Sequence, residues 1–225
     1  MITKISCTNL DEQCLRERVN VGEVVNNNLP DNFFKLVVKK PWGHEYVAFQ
    51  DENVAIWKLF IKFEEETSMH CHPSKESAII VLSGQAKCFA LGKEILLNPF
   101  DIVWIEKGAF HSTRALSYKG INILEMNAPP LLTDLVRLND KYGRTGEPYE
   151  SKENMERRSL EESQGYLNIT TIENVPKFNP YNIVIVLSEI FSNGNRLKPG
   201  ETLYVRDFCQ YELQKLSHKI IVIGG

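Results

Sequence analysis

Two stretches decide how the rest of the chain is interpreted: Ser68-Met69-His70-Cys71-His72-Pro73-Ser74-Lys75-Glu76 and Ile105-Glu106-Lys107-Gly108-Ala109-Phe110-His111. They contain three of the five histidines of the 225-residue chain. Three imidazoles and one carboxylate form a ligand set that suits a divalent transition metal such as Zn, Fe, Ni or Mn. The sequence therefore predicts a site for one divalent metal ion with four ligands: His70, His72, Glu76 and His111.

Strand periodicity explains how these residues would meet. Side chains alternate along a strand, so His70 and His72 point to the same face. Pro73 withholds a ladder hydrogen bond and predicts a turn. The apolar run at 78–82 predicts a buried strand, and a later strand leads to His111. A closed antiparallel sheet would bring His111 opposite the first pair.

The alternative is that His70 and His72 are only a polar pair on the surface of a strand, which is a common arrangement. A carboxylate at a fixed offset and a distant Gly-x-x-His argue against coincidence. The metal site is therefore the favoured interpretation.

The spacing resembles the two-part motif of the cupin superfamily. The two neighbouring histidines and Glu76 match its first part, with one extra residue before Gly84. Gly108 and His111 match its second part. At three turn positions another residue replaces the glycine or proline of the motif: Glu64, Phe100 and Glu106.

Two flanking segments resemble a narrower family, the type II mannose-6-phosphate isomerases. Pro41-Trp42-Gly43 precedes the core, and a segment from Asp134 to Arg144 follows it in the same order as in that family. The resemblance covers roughly residues 38 to 145. It departs at Ser77-Ala78, where the family usually has His-Trp, and the spacing from His72 to Glu76 is one residue longer. Many members also carry a nucleotide-sugar pyrophosphorylase, and nothing in this chain resembles its Gly-rich loop.

The predicted fold is all-β: a cupin double-stranded β-helix, or jelly-roll barrel, with an N-terminal extension and a small β-rich C-terminal unit. The predicted regions are the extension (1–33), the cupin domain (34–145), a charged linker (146–164) and the C-terminal unit (165–225). Charge spacing in the linker is compatible with a solvated helix. Because few core contacts should cross such a linker, we expect residues 1 to 145 to fold without the tail. The C-terminal unit could serve oligomerisation, partner binding or a lid, and the sequence does not choose among these roles.

The flanks imply isomerisation of a sugar or sugar phosphate, in polysaccharide or nucleotide-sugar synthesis. Aldose–ketose interconversion passes through an enediol, for which a metal supplies a Lewis acid and a side chain supplies a general base. Glu45 is the candidate catalytic base, and a loosely ligated Glu76 is a second candidate. Trp42 offers a flat wall for a sugar ring, unless it only supports a bend.

Three cationic side chains are candidates for binding phosphate or hydroxyl groups: Lys40, Lys58 and Arg114. Strand alternation leaves open whether Lys58 faces solvent or a cavity. Arg114 is out of phase with His111 on a regular strand, so its participation requires a bend.

Two other functions use the same scaffold. The protein would be a non-catalytic sugar-binding cupin, acting as a sensor or accessory protein, if the ligand set binds without turnover. It would be an Fe(II) dioxygenase if the same ligands hold iron beside an apolar pocket.

Bulk composition narrows the partners. The net charge of −3, the pI of about 6.0 and the lack of a basic stripe argue against nucleic acid. No apolar run approaches the ~20 residues of a membrane helix. Five widely spaced cysteines without an export signal predict a reduced, cytoplasmic protein. The expected partner is a small-molecule sugar or sugar phosphate, and the sequence leaves a homodimer open.

Overall fold

The structure, a computed structural model, describes residues 1–20, 33, 36–131, 134–145, 150, 152–157, 167–171, 175, 177–192, 195–211 and 219–224. Strands dominate this part of the chain, so the predicted all-β fold is confirmed. Within it, no helix is both long enough and apolar enough to cross a membrane. The loop predicted at 26–31 and the lone His218 lie outside the described residues.

Eight strands form the largest sheet. In spatial order they are β1 (Ile2–Ile5), β9 (Ile102–Ile105), β6 (Glu76–Ser83), β11 (Ile121–Ala128), β4 (Ala55–Ile61), β3 (Gly43–Gln50), β2 (Leu36–Lys40) and β13 (Met155–Arg157). β1 runs parallel to β9, and the other neighbours are antiparallel. This sheet forms one wall of the barrel.

A five-stranded sheet forms the other wall. In spatial order its strands are β12 (Val136–Asn139), β5 (Met69–Cys71), β10 (His111–Ala115), β7 (Ala86–Ala90) and β8 (Lys93–Leu97). The inward residues of both sheets form one apolar core, which includes Val47, Trp57, Leu59, Ile79, Val81, Cys88, Leu97, Val103 and Ile123. Alternate residues of each strand thus define the interior of the barrel.

The N-terminal region is tied to the barrel by β1 and by helix α1 (Asn9–Asn20). Thr8 and Asp11 cap α1 reciprocally, since the backbone N–H of each donates to the side chain of the other. Asp11 is buried and also accepts a hydrogen bond of 2.8 Å from the backbone N–H of Phe110. The sequence predicts a helix from Leu10 to Glu23, of which the last three residues lie outside the described part.

The C-terminal region contains a four-stranded sheet, β14 (Leu167–Thr171), β19 (Lys219–Ile223), β15 (Ile183–Val186) and β18 (Thr202–Tyr204). A hairpin of β16 (Ile190–Ser192) and β17 (Asn195–Leu197) and the short helix α2 (Val205–Phe208) complete it. The sequence suggests a helix around Asp207 to Lys215. α2 contains the first two residues of that range, and residues 212–218 lie outside the described part.

This C-terminal sheet covers the outer face of the eight-stranded sheet. Ile183, Ile185 and Ile221 share one apolar cluster with barrel residues such as Ile80 and Leu124. Val184, Val186 and Val222 lie on the opposite face in a second cluster that includes residues of α2. The central strands are therefore buried on both faces.

The segment that the sequence suggests as a solvated helix differs in the structure. Lys152–Asn154 form a 3₁₀ turn, and β13 follows as an edge strand that pairs with Leu36, Val37 and Val38. Residues 158–164 lie outside the described part. β13 joins the barrel sheet, and the C-terminal sheet shares an apolar cluster with the outer face of that sheet. This packing argues against independent folding of residues 1–145, which stays a prediction until it is measured.

Truncation after Thr145 should remove this cover and expose a continuous apolar face around Ile56, Ile80 and Leu124. Large exposed apolar patches cause aggregation. We expect the fragment to be insoluble, whereas the full chain is soluble, and a fragment carrying serine at these three positions should recover solubility. The measurement is the soluble fraction after expression; a soluble, cooperatively melting native fragment would contradict this packing argument.

Two of the three unusual turn positions keep the backbone that a glycine would provide. Glu64 and Phe100 have φ of 61° and 67°, in the left-handed region that L-residues rarely adopt. The departures from the cupin motif therefore change the residue and preserve the turn, at a strain of roughly 1–2 kcal/mol for each position.

Gly43 of the Pro-Trp-Gly segment is required by a close backbone approach. A Cβ at this position would lie 1.9 Å from the carbonyl oxygen of Phe60. The loop residue Gly92 has φ of 76° and open space around the same position. Gly43 thus lets β3 pair closely with β4.

Gly43→Ala should lower the free energy of unfolding by about 3 kcal/mol or more, because the backbone must move. Gly92→Ala is the matched control and should cost about 1–2 kcal/mol, from backbone conformation alone. Urea denaturation of both variants makes the comparison. Equal losses would show that the approach to Phe60 is not what selects glycine.

Candidate metal centre and its cavity

Three histidines meet inside the barrel. His70 on β5 lies directly opposite His111 on β10, and His72 follows just after β5. All three are buried, and their ligand atoms lie within 4.8 Å of one another. The structure thus brings together the three imidazoles that the sequence predicts as ligands.

Backbone carbonyls fix the protonation of each ring. Nδ1 of His70 lies 2.8 Å from the carbonyl oxygen of Ser68. Nδ1 of His72 lies 2.5 Å from the carbonyl oxygen of Asp134. Nδ1 of His111 lies 3.0 Å from the carbonyl oxygen of Ala109. A carbonyl oxygen only accepts, so Nδ1 carries the hydrogen and Nε2 keeps its lone pair. Nε2 of His72 and of His111 is buried without a hydrogen-bond partner in the described part of the chain. These atoms fit a divalent metal.

Burial keeps two of the three rings uncharged. Burial lowers the pKa of His70 well below its usual value, and the neighbouring imidazoles lower it further. Burial, with His72 beside it, lowers the pKa of His111 to about 4. Metals bind the neutral imidazole, so His70 and His111 are in their metal-binding form at neutral pH.

Glu76, the predicted fourth ligand, lies on the other side of β6. It shares the outer face of the strand with Ala78 and Ile80 and borders a surface groove with Lys4. Ser77 takes the inward position and donates a hydrogen bond of 2.7 Å to Asn127 Oδ1. The extra residue between His72 and this strand shifts its phase by one, and a shift of one reverses the faces.

The carboxylate that lies beside the histidines is instead that of Glu125 on β11. Its Oε1 lies 3.4 Å from Nε2 of His72. The sequence carried a signal that we missed, because Glu125 follows the inward Ile121 and Ile123 at the same parity.

A cavity of about 70 Å³ adjoins the histidines, and three predicted residues line it: Lys40, Trp42 and Glu45. Lys40 Nζ lies 3.1 Å from Glu45 Oε1, and both side chains are buried. The end of β2, the turn at Trp42 and the start of β3 therefore line the same cavity as His70 and His72.

Two predicted cations lie elsewhere. Lys58 points to the face of β4 opposite Trp57 and Leu59, because side chains alternate along the strand. Arg114 lies on the outer face of the five-stranded sheet, where its Nε donates to Glu66 Oε2 at 2.6 Å. The strand has no bend that would turn Arg114 inward, so its parity excludes it from this cavity.

Three further cations line the cavity: Lys75, Arg137 and Arg144. None of them is among the site residues predicted from the sequence. Lys75 is buried and donates to the carbonyl oxygen of Leu131 at 2.9 Å; burial lowers its pKa, although Glu125, Asp134 and Glu45 oppose the shift. The two arginines belong to the flank that follows the barrel. That flank resembles the corresponding segment of the isomerase family, and this resemblance was the signal that could have identified its two arginines as site residues.

Comparison with known proteins agrees with this geometry. Residues 29–140 match the family model described as Mannose-6-phosphate isomerase C-terminal. A mannose-1-phosphate guanylyltransferase of Klebsiella pneumoniae is 27% identical over 109 residues, which are 48% of this chain and 23% of that protein. The Escherichia coli relative of the same name is 26% identical over the same shares. The chain thus covers about a quarter of the length of the curated relatives it matches.

Among solved structures, a sugar phosphate isomerase of the cupin superfamily from Silicibacter pomeroyi is 10% identical, with a TM-score of 0.38 over 43% of this chain and 65% of that one. A likeness at this level supports no statement about function.

The barrel and its inward histidine cluster define a cupin. Its strands β2 to β12 and its three clustered histidines lie within residues 29–140, the segment that is similar to the mannose-6-phosphate isomerase C-terminal family.

Metal content should separate the two glutamates. His72→Ala should lose the metal, and Glu125→Gln should weaken binding by about 10–100-fold, as changes beside a metal site do. Glu76→Gln is the matched control and should bind as the wild type does, because Glu76 faces away. Titration of each apo-protein with Zn²⁺ or Mn²⁺ measures the affinities. Loss of binding in Glu76→Gln but not in Glu125→Gln would restore the ligand set predicted from the sequence.

The apo-protein should lose stability on mild acidification. Unfolded histidine has a pKa near 6.5, whereas folded His111 has a pKa of about 4. Between these values the unfolded state binds more protons, so the free energy of unfolding falls as pH falls, by up to about 1.4 kcal/mol per pH unit for this group. Urea denaturation in EDTA at pH 7 and pH 5 should show a smaller drop for His111→Gln than for the wild type. An equal drop would mean that His111 does not contribute.

Proposed function

We propose that this protein is a metal-dependent isomerase of a sugar phosphate, of the mannose-6-phosphate isomerase type. The observation that carries the proposal is one cavity with two kinds of wall. One wall has His70, His72 and Glu125, and the other has Lys40, Trp42 and Glu45. The family match and the names of the mannose-1-phosphate guanylyltransferases support a mannose phosphate as the substrate.

The metal would be held by the three histidines and Glu125. A divalent ion bound there supplies a Lewis acid for the sugar carbonyl. Zn, Fe, Ni and Mn all accept such ligands, and the proposal does not choose among them.

The residues of the chain perform the remaining steps. Trp42 provides an apolar wall against which a sugar ring can stack. Glu45 accepts the proton from C2 of the sugar and returns it to C1, as the general base and acid of the enediol pathway. Lys40 Nζ, 3.1 Å from Glu45 Oε1, holds that carboxylate in place beside the cavity.

A non-catalytic sugar-binding cupin is the second candidate, and the size of the cavity favours it. About 70 Å³ is much less than the ~300–1,000 Å³ typical of small-molecule pockets, so turnover requires the cavity to open. The Fe(II) dioxygenase remains a prediction from the sequence.

Glu45→Gln should reduce kcat for the interconversion of mannose 6-phosphate and fructose 6-phosphate by about 10²–10⁴-fold, the usual contribution of a general base. Metal content and melting temperature should stay close to the wild type. Glu94→Gln, an exposed carboxylate paired with Lys87, is the control and should retain activity. A wild type stabilised by sugar phosphate without turnover would support the binding protein instead.

A further inference from the structure

Three cations at the cavity converge on one carboxylate oxygen. Oε1 of Glu150 lies 2.6 Å from Arg144, 3.4 Å from Lys40 Nζ and 4.0 Å from Arg137. The side chain of Arg144 is 14% exposed, and those of Lys40 and Arg137 are each 4% exposed. The side chain of Glu150 is 7% exposed. The three contacts are therefore nearly shielded from water.

The three cations come from different parts of the fold. Lys40 ends β2, Arg137 lies in β12, and Arg144 follows in the turn that Asp140 holds through hydrogen bonds of 2.8 and 3.1 Å. They share one space only because β2 and β12 lie on opposite walls of the barrel mouth. Convergence of this kind serves an anion.

Carboxylates accompany the cations of this cluster. Within the described part of the chain, Glu45 pairs with Lys40 and Asp140 pairs with Arg144, and Glu150 is the carboxylate that all three cations approach. Burial would raise the pKa of Glu150, but the charges of Lys40, Arg144 and Arg137 hold it below its usual value. Glu150 is thus a charged group in a setting that binds an anion.

The same three cations line the cavity that contains His70 and His72. A phosphoryl oxygen and a carboxylate oxygen accept the same charge-assisted hydrogen bonds from arginine and lysine. A phosphate group in this cavity would therefore meet donors that Glu150 already uses.

We propose that Lys40, Arg137 and Arg144 form a phosphate subsite, and that the Glu150 carboxylate occupies it as an internal anion which a substrate phosphate must displace. The identity of the phosphate as part of a sugar rests on the proposed function. The subsite itself requires only an anion that carries phosphoryl oxygens.

Inorganic phosphate tests the subsite without turnover. Glu150→Gln should bind phosphate at least ~10-fold more tightly than the wild type by calorimetry, because the competing charge is removed. Arg137→Met in the Glu150→Gln background should abolish this gain. Glu156→Gln, an exposed carboxylate paired with Lys39, is the matched control and should leave the affinity unchanged. Unchanged or weaker phosphate binding in a folded Glu150→Gln protein overturns the proposal, since a structural counter-ion predicts that result.

A second measurement uses the wild type, in case Glu150→Gln does not fold. Saturating phosphate should speed amide hydrogen exchange in β13, because the residues that follow Glu150 lose an anchor when its carboxylate is displaced. Unchanged or slower exchange overturns the proposal. Tighter phosphate binding by Glu150→Gln without isomerase activity would retain the subsite and reject the isomerase, so the two proposals fail separately.

Discussion

The antiparallel pairing of β5 with β10 is the constraint on which the site depends. It sets His70 directly opposite His111, and alternation along the chain then turns His72 to the same interior. Each ring satisfies one nitrogen with a backbone carbonyl. Nε2 of His72 and of His111 is left as a buried lone pair with Glu125 nearby, and such groups repel one another in a low-dielectric interior. A divalent cation held there would remove that repulsion.

Strand phase explains what the sequence could and could not reveal about this site. The histidines were predictable because His-x-His fixes their common face regardless of neighbouring turns. The carboxylate was not predictable by spacing, because the turn after Pro73 sets the phase of the next strand, and one residue more turns Glu76 outward. Strand faces identify the carboxylate where motif spacing does not. Glu125 is the one charged residue on the apolar face of β11, and that face points into the barrel.

The fold was predictable in its strands and not in how its layers combine. The runs that became β6, β15 and β19 are apolar at nearly every position, which is the pattern of strands buried on both faces. A barrel with a solvated exterior would instead show alternation. The continuous run in β6 thus required a covering layer, and the run in β15 could supply it. The charged segment between the two sheets hid this contact from sequence analysis. Its charges indicate that the connecting segment is exposed, but they say nothing about whether the two sheets that it joins pack together.

The charge cluster beside the histidines needs a reason other than stability. Burying ions costs desolvation energy that their mutual attraction often fails to recover, and apolar residues of similar volume commonly do as well or better. Lys40, Glu45, Arg137 and Glu150 are nevertheless all buried at one end of the barrel. Exposed ion pairs of this chain, such as Lys39 with Glu156, show that the same residue types lie in water elsewhere. The phosphate that we propose as a ligand would account for this burial, because fixed and desolvated donors bind an anion more strongly than hydrated ones.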